Sequence, residues 1–568
     1  PRSRLNMHLG RIGSSWILGG AIVAGLALRL WGIDFGLPHT AARPDESILV
    51  HRALVIAGGQ WNPHFFNYPS FHLYLLSAVF GLYYLSSLLV GTVDGTQTFL
   101  LRFLVDPSDL YLTGRWFTAL MGTATIACCW HMGRTLGGRA AAAASAILVA
   151  LAFLHVRDSH FLTVDVPAAF WATASMAVLV DYAHWGGRRQ LILGAVLVGL
   201  AMSTKYNTAL FVPAMAMALW RSPGGGRVRD WALALATAGG VFLCGSPFIV
   251  LDPAGFWHDF LFEWQHFGRG HSGQELGNGW LYHLTFTLRH GLGLPLMLSA
   301  LASLVWLARR RRPGDLVLLT AACGYFAVAG SGGSLFVRYA IPLVPLLSVA
   351  AGTGVAQLAQ HRMAIVVAVS LALVAPSALT AVQHDRLLTR LDTRELARQW
   401  IERRVPTGAR IALTGSSYGH PRLHPTRLWL QDRWEDVRRL GETGRRLRLG
   451  LDLSGYPPDP AYDLVELRTV PHPGLRSVRA TQSLADLQTG GVGWLVTQSH
   501  PLTYSAMSQG LARDLVSMTP VAEFSPAPPN VLGKAAFDPL DAYFLPYAGH
   551  QGMWRPGPHL RVYRIDGR

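Results

Sequence analysis

The stretch IGSSWILGGAIVAGLALRLWGI, residues 12–33, decides the class of fold. An apolar run of this length matches the roughly 20 residues that a helix needs to cross a bilayer, and lipid leaves the backbone few alternatives to a helix. No clear small-residue cleavage site follows, so we interpret the run as a retained anchor and not as a signal peptide. Further apolar runs recur along the chain, which predicts a polytopic α-helical membrane protein.

Composition supports this class. The chain is 51% hydrophobic and only 14% charged, which is far from the average soluble domain. Its formal charge of +16 comes from arginines in short clusters between apolar runs. This is the positive-inside pattern of membrane proteins, and it argues against a nucleic-acid partner. Cys128, Cys129, Cys244 and Cys323 all fall in apolar runs, so neither a disulfide framework nor a CxxC metal site is supported.

Alternation of the arginine clusters predicts a topology with a cytoplasmic N-terminus. Eleven spans satisfy it: 12–33, 114–132, 140–156, 166–184, 191–204, 207–220, 231–250, 284–308, 315–330, 338–358 and 363–382. The apolar segment 68–90 complicates the count, because parity requires an even number of crossings between Ile33 and Gly114. Either it lies in the interface as an amphipathic helix, or the weaker run 98–104 returns with it. We therefore expect about 11–13 transmembrane helices.

The same topology gathers polar residues on the face opposite the arginine clusters. They are Asp45 and Glu46, the loop 155–167, Lys205, the long connection from Asp252 to Tyr282, and the segment 336–339. Lys205 is one of only two lysines in the chain, and an ionisable residue between two apolar runs is expected to be functional. A phosphate suits both this ammonium and the guanidinium of Arg338.

Adjacent carboxylates at the membrane surface suit general-base chemistry. A neighbouring arginine would keep such a carboxylate ionised, and Arg43 and Arg115 are the candidates for that neighbour of Asp45 and Glu46. The face thus combines a base with cations that can receive an anionic leaving group.

Six segments together resemble one family of enzymes. They are RPDE (43–46), NYPSFHLYLL (67–76), GRWFTALMGTATIACCWHMGRTLGGR (114–139), RDSHFLTVDVPAAFW (157–171), GLAMSTKYNTALFVPA (199–214) and VRYAIPLVPLL (337–347). In this order the chain resembles the polyprenyl-phosphate-sugar-dependent glycosyltransferases of the GT-C superfamily, which include the aminoarabinose transferases of lipid A and the protein O-mannosyltransferases. The likeness covers roughly residues 12–385.

The resemblance implies transfer of one sugar from a polyprenyl phosphate to an acceptor hydroxyl on the extracytoplasmic face, with inversion of the anomeric configuration. It implies that Asp45 is the catalytic base with Glu46 beside it and Arg115 near it. Asp165 would be the second acid, and Lys205, Arg338 and Tyr339 would surround the donor phosphate. The expected partners are the lipid-linked sugar donor, a lipid, glycan or protein acceptor of the cell envelope, and the bilayer. No cofactor is expected. One departure is Tyr68, which stands before Pro69 where the aminoarabinose transferases have a lysine.

Each of these residues has a simpler alternative. Asp45 and Glu46 can begin an interfacial helix, because acids favour a helix N-terminus. Asp158 competes with Asp165 for the second acid and can instead pair with its neighbour Arg157, while Lys205 can extend to lipid headgroups and Arg338 can be a membrane-edge anchor. Four histidines raise the question of a metal site, but their spacing favours solvated or packing roles: His39, His51, His64 and His72.

The polar C-terminal third predicts a second domain. Residues 1–384 form the expected GT-C transmembrane catalytic domain, whose first external loop is about 34–113, and residues 385–568 form an extracytoplasmic α/β domain. The segment DTRELARQWIERRVPTGARIALTG (392–415) predicts an amphipathic helix, a turn and a strand. GVGWLVTQS (491–499) and HLRVYRI (559–565) predict further strands.

Two other functions stay open at this point. A transporter or flippase of a lipid-linked or anionic solute would also place cations in the membrane, but it predicts charges throughout the membrane depth and an inverted repeat. An enzyme that uses a pyrophosphate-linked oligosaccharide would need a divalent metal and further acids in the first external loop. The location predicted by all three is the inner or plasma membrane.

Overall fold

The computed structural model describes residues 2–224, 226–270, 276–437, 442–468, 478–480 and 483–566. The described chain is mostly helical. In chain order, the helices are α1 Arg2–Leu30, α2 Glu46–Ala57, α3 Phe71–Val90, α4 Thr96–Val105, α5 Ser108–Ala150, α6 Phe153–Asp158, α7 Asp165–Trp185, α8 Arg188–Met202, α9 Val212–Arg221, α10 Val228–Gly245, α11 Phe248–Leu251, α12 Pro253–Arg269, α13 Gly279–Tyr282, α14 Arg289–Leu292, α15 Leu294–Arg310, α16 Pro313–Ala329, α17 Leu343–Leu358, α18 Met363–Leu388, α19 Thr393–Arg404, α20 Arg427–Val437, α21 Glu442–Asp452, α22 Leu484–Thr489, α23 Gln509–Asp514 and α24 Pro529–Leu532.

Each of the eleven predicted spans coincides with a helix or with consecutive helices, so their helical state is confirmed. In the described part of the chain, three stretches are long and apolar enough to cross a bilayer: Phe71–Val90, Asp165–Trp185 and Met363–Arg404. A fourth is added if Gly279–Leu292 and Leu294–Arg310, which meet at 117°, form one broken span. The break falls at Gly293, whose φ is +77°, two residues before Pro295, which lacks an N–H for the helix ladder.

Two segments refine the predicted pattern. The segment 68–90 forms the apolar helix α3, while the run 98–104 lies in α4, whose ten residues span about 15 Å, roughly half of a bilayer core. The connection from Asp252 to Tyr282 contains the helix α12. Asp252 caps this helix by accepting a hydrogen bond from the amide of Gly255, and Pro253 occupies its first turn.

The chain forms two compact units. Unit 1 takes the chain through Ile33, together with Ile48–Phe80 and Gly114–Asp385. Unit 2 takes Asp34–Ser47, Gly81–Thr113 and the chain from Arg386 onward. Residues 34–47, which carry the RPDE motif, therefore belong to the same unit as the C-terminal third of the chain.

Glycines let neighbouring helices of unit 1 approach closely. Helices α7 and α8 lie side by side, and Gly194 of α8 approaches the side chain of Leu179 so closely that an added Cβ would lie 2.7 Å from its Cδ2. Gly199 makes a similar approach to Val241 of α10. Such close helix contacts are typical of helix packing in membranes, where small residues let backbones approach.

Unit 2 contains the sheet expected in the C-terminal third. Its strands are β1 Arg410–Thr414, β2 His424–Pro425, β3 Ala461–Arg468, β4 Val478–Ala480, β5 Trp494–Ser499, β6 Ala522–Phe524 and β7 His559–Arg564. Among the described residues the order is β2-β3-β1-β5-β7-β6, with β4 beside β3. The pairs up to β5 are parallel, and β7 and β6 join antiparallel.

Side chains alternate between the two faces of this sheet, and both faces carry a buried apolar cluster. Ala412 and Leu495 pack on one face against Leu487 of α22 and Leu511 of α23. Ile411 packs on the other face with Ile401 of α19. Helices therefore cover both faces, which is the α/β arrangement predicted from the sequence.

Candidate functional site

Lys205 lies in unit 1, directly after helix α8. Its amide donates to the carbonyl of Ala201 at 3.0 Å, and its own carbonyl accepts from the hydroxyl of Thr208 at 2.8 Å. These bonds fix an extended backbone at Lys205 before the 3₁₀ turn Tyr206–Phe211. The side chain is only 11% exposed. A cation held at this degree of burial needs a partner, because burying an isolated charge is costly.

Asp165 is that partner. It is the first residue of helix α7, where the helix dipole favours a negative charge, and its carboxylate pairs directly with the Lys205 ammonium. The Asp165 side chain is only 5% exposed. Two residues that the sequence places 40 positions apart, and that the motifs assign to one site, are thus in contact.

Two tyrosines lie beside the Lys205 ammonium. Its Nζ is 5.2 Å from the centre of the Tyr339 ring and 6.0 Å from that of the Tyr68 ring. Both distances allow a cation–π attraction. The 3₁₀ turn Val337–Ala340 carries Tyr339 and also Arg338, whose guanidinium stacks at 4.0 Å on the ring of Phe336. The structure therefore groups Tyr68, Asp165, Lys205 and Tyr339, with Arg338 next to Tyr339 in the chain.

Sequence reasoning missed a polar pair close to this group. Asn207 donates from Nδ2 to the hydroxyl of Tyr325 at 2.7 Å, and Tyr325 is buried. The signal was present, because Asn207 stands two residues after Lys205 in the motif STKYNT. Nothing in the local pattern indicated Tyr325, which belongs to the apolar helix α16.

The segment before Tyr68 is held by two acids of helix α12 and by the aspartate that caps this helix, which were also missed. Asn62 donates to Asp252 at 2.9 Å, the amide of Phe66 donates to Asp259 at 2.8 Å, and Asn67 donates to Glu263 at 2.6 Å. The hydrogen bond from Asn62 lowers the pKa of Asp252, which keeps that carboxyl ionised. These bonds fix the chain that leads into Tyr68.

The other predicted members of unit 1 have partners of their own. Asp158 is buried and pairs with Arg157 at 3.0 Å, as its simpler alternative supposed. Arg115 is buried and donates to the carbonyl of Ile33 at 2.9 Å. It thereby ties helix α5 to the turn that follows α1.

Asp45 and Glu46 lie in unit 2. Asp45 is partly exposed and precedes helix α2, whose first residue is the fully buried Glu46. The acids therefore do stand at a helix N-terminus. Arg43, the predicted neighbour of Asp45, pairs with Asp541, and its guanidinium lies 5.7 Å from the centre of the Tyr543 ring.

The histidines of the first external loop have separate surroundings. His39 is buried and bonds to the carbonyl of His420, His64 approaches Asp252 at 3.4 Å, and His72 stacks on Phe117. Within the ranges that the structure describes, no group of three or more His, Cys, Asp or Glu side chains is arranged to hold a metal ion.

Comparison with known proteins places these residues in a family context. A sequence model of the dolichyl-phosphate-mannose-protein mannosyltransferase family matches residues 108–261, a range that includes Asp158, Asp165 and Lys205. The match covers less than half of the chain. No curated protein matches the chain in sequence.

Solved structures show the fold. ArnT from Cupriavidus metallidurans bound to undecaprenyl phosphate is similar with a TM-score of 0.53 at 15% identity, over 98% of this chain and 99% of that one. ArnT in the apo state is similar with a TM-score of 0.53 at 14% identity, over 98% of each chain. The apo oligosaccharyltransferase of Archaeoglobus fulgidus gives a TM-score of 0.46 at 12% identity, over 70% of this chain and 62% of that one. The chain thus spans less than two thirds of that archaeal protein.

The resemblance to GT-C glycosyltransferases is confirmed by the family match together with the fold of ArnT. A membrane location agrees with both comparisons and with the apolar helices.

Proposed function

We propose that this protein transfers a single sugar from a polyprenyl phosphate carrier of the undecaprenyl type to an acceptor hydroxyl. In this proposal the enzyme is a multi-pass protein of the inner or plasma membrane with 11–13 crossings. Its N-terminus is cytoplasmic, and its active site and C-terminal domain, residues 385–568, are extracytoplasmic. The acceptor is a lipid, glycan or protein of the envelope.

The observation that carries the proposal is the Lys205–Asp165 pair. A lipid phosphate that carries a sugar is a diester with one negative charge. An ammonium has three N–H donors, and the bond to Asp165 uses one of them. The remaining donors suit phosphate oxygens, and the rings of Tyr68 and Tyr339 lie close enough to the cation to attract it. ArnT, which shares the fold, was solved with undecaprenyl phosphate.

The chemistry requires a base and an anion site. The acceptor hydroxyl attacks the anomeric carbon of the sugar, and Asp45 accepts the hydroxyl proton, with Glu46 beside it. As the bond from carbon to phosphate oxygen breaks, the carrier gains a second negative charge. Lys205 and Arg338 stabilise that charge, and Asp165 orients the ammonium. A single displacement of this kind inverts the anomeric configuration.

The test is release of polyprenyl phosphate from a panel of polyprenyl-phosphate sugars by purified protein in detergent, with envelope extract as the source of acceptor. We expect the wild type to turn over one donor. Asp45→Asn should slow release by about 10²–10⁴-fold, the usual contribution of a general base. The matched control is Asp34→Asn, which makes the same change at an exposed aspartate of the same loop and should leave the rate unchanged.

Two outcomes would redirect the assignment. If the wild type binds the carriers but releases none, the transporter or flippase becomes the better hypothesis. If release occurs only from a pyrophosphate-linked donor and stops with EDTA, the protein is an enzyme of the oligosaccharyltransferase type. EDTA-resistant release from a monophosphate donor supports the proposal.

A further inference from the structure

The loop that carries Asp45 is a chain of tight turns. Within residues 34–46 the backbone amides donate to carbonyls three residues earlier, at Leu37 to Asp34 (3.2 Å), His39 to Gly36 (2.8 Å), Ala42 to His39 (3.1 Å) and Glu46 to Arg43 (3.3 Å). The last turn has Pro44 and Asp45 at its centre. The position of the Asp45 carboxylate is therefore set by the two residues that close this turn, Arg43 and Glu46.

Arg43 is attached to the C-terminal part of unit 2. Its guanidinium is fully buried and pairs with Asp541, which is only 4% exposed. Tyr543 lies against the same guanidinium, and its ring also meets the ring of Phe35 edge to face, with centres 6.0 Å apart. A buried arginine held by a carboxylate and an aromatic ring has a defined orientation, because its planar fork fits few geometries.

Asp541 itself is set by a local turn. Its amide donates to the carbonyl of Asp538 at 3.3 Å, and the side chain of Asp538 accepts from the amide of Leu540 at 3.2 Å. Asp538 and Asp541 are both buried. The carboxylate that receives Arg43 thus stands on a fixed piece of backbone.

A second attachment lies six residues before Asp45. His39 Nε2 donates to the carbonyl of His420 at 2.6 Å. His420 in turn bonds through Nε2 to the carbonyl of Thr414 at 3.0 Å, at the end of strand β1. Burial lowers the pKa of His39 to about 3, so its imidazole is neutral at physiological pH and keeps one N–H for this bond. The sheet therefore holds the loop at a second point.

We infer that Asp541 is a positioning residue of the transferase: through Arg43, and with the His39–His420 bond as a second attachment, the C-terminal domain holds the turn that presents Asp45. This inference rests on the function proposed above, in which Asp45 is the base. It gives the C-terminal domain a role in the reaction that requires no contact with either substrate. A base must stay within a fraction of an ångström of its working position, which short turns in a loop do not secure alone.

The experiment compares Asp541→Asn with Asp463→Asn. Asp463 pairs with Arg410 at 3.1 Å in the same unit, but both side chains are more than a third exposed. Three quantities are measured in detergent: the rate of carrier release, its donor KM, and the hydrogen exchange of the amides between residues 36 and 47. We expect Asp541→Asn to slow release about 10- to 100-fold, the effect of displacing a catalytic group by about 1 Å, with donor KM unchanged within about twofold. Exchange in the loop should accelerate, while Asp463→Asn changes none of the three quantities.

A third arm separates positioning from general damage. In an Asp45→Asn background, Asp541→Asn should leave the residual rate unchanged within about twofold, because the base through which Asp541 acts is already absent. Equal slowing in both backgrounds would overturn the inference, and so would unchanged exchange in the loop. If Asp541→Asn does not fold, the double variant Arg43→Gln, Asp541→Asn removes both charges together and is held to the same expectations.

Failure of the proposed function looks different. In that case the wild type releases carrier from no donor, and the rate and donor KM of the variants cannot be compared. The exchange measurement still decides the structural part. Faster exchange in Asp541→Asn alone would uphold the attachment of the loop, and equal exchange in both variants would overturn it.

Discussion

Two of the buried ion pairs that involve residues of the sequence motifs differ in their separation along the chain, in their exposure and in their surroundings. The Lys205–Asp165 pair joins residues 40 positions apart, is 11% and 5% exposed, and has tyrosines on two sides. The Arg43–Asp541 pair joins residues 498 positions apart and is 0% and 4% exposed. A compact ammonium with donors to spare suits a ligand that comes and goes. A guanidinium enclosed by a carboxylate and a ring suits a permanent attachment. The difference teaches that burial of an ion pair alone does not distinguish a binding site from a structural lock.

The largest effect on stability should come from breaking the Arg43–Asp541 pair. Asp541→Asn removes the carboxylate that pairs with the buried Arg43 guanidinium, and loss of one partner of a buried pair costs about 3–5 kcal/mol. Unfolding by guanidinium chloride in detergent, followed by tryptophan fluorescence, measures the loss in free energy of unfolding. The half-exposed Arg410–Asp463 pair is the control, and Asp463→Asn should cost less than about 1 kcal/mol. If both variants lose the same free energy of unfolding, the buried Arg43–Asp541 pair is no more important for stability than the exposed Arg410–Asp463 pair.

Changes at the Lys205–Asp165 pair should affect binding of the sugar donor. Lys205→Gln removes a charged hydrogen-bond donor worth about 1.5–3 kcal/mol, so kcat/KM for the donor should fall about 10- to 100-fold. The other lysine of the chain, Lys534, is exposed and offers a matched control, since Lys534→Gln should leave kcat/KM unchanged. If Lys205→Gln lowers the stability of the protein but not its affinity for the donor, the Lys205–Asp165 pair has a structural role and does not bind the donor.

The next largest effect should come from low pH, which should destabilise the loop 36–47 that His39 attaches to the sheet. The pKa of His39 is about 3 in the folded protein and near its usual 6.5 when unfolded, so the unfolded state binds more protons between these values. Stability is therefore complete above about pH 6.5 and falls as the pH drops towards 3, by about 1.4 kcal/mol at pH 5.5. Hydrogen exchange of residues 36–47 as a function of pH measures this. His39→Gln keeps a donor without the titration, and a pH dependence identical to the wild type in that variant would refute the assignment to His39.

The smallest effects are expected at Tyr339 and Tyr68, whose rings lie near the Lys205 ammonium. Removing a cation–π partner costs about 0.5–1 kcal/mol, so Tyr339→Leu and Tyr68→Leu should each weaken donor binding about two- to fivefold. The effect at Tyr339 should be the larger, because its ring lies closer to Lys205 Nζ, at 5.2 Å against 6.0 Å. Binding of a polyprenyl phosphate measured by fluorescence quenching ranks the two. A reversed order would indicate that the ring of Tyr68 contacts the donor directly.

Helix positions were predictable because an apolar run of fixed length is a local signal. The runs 166–184 and 363–382 appear as α7, Asp165–Trp185, and α18, Met363–Leu388. Both helices start within one residue of the predicted position, and α18 ends later than predicted. The strand in GVGWLVTQS appears as β5 for the same reason. The central strand β3, Ala461–Arg468, was not predicted, because charged residues in DLVELR conceal its alternation.

The candidate site was predictable only in part. Lys205 stood out because lysine is rare in this chain, and Asp165 because of its motif, but their direct pairing needed the structure. The partner of Arg43 could not be predicted at all. No periodicity connects positions 43 and 541, and Asp541 lies in a loop between Phe537 and Phe544 whose sequence shows no regular element.

The distance along the chain between Arg43 and Asp541 also has a meaning in time. A ribosome that adds about 5–20 residues per second needs roughly 25–100 s to make the 498 residues that separate them. The turn that carries Asp45 therefore leaves the ribosome well before the carboxylate that pairs with Arg43. A chain whose synthesis stops between these two positions would lack Asp541, and under the proposed function its base, Asp45, would not yet be held in place.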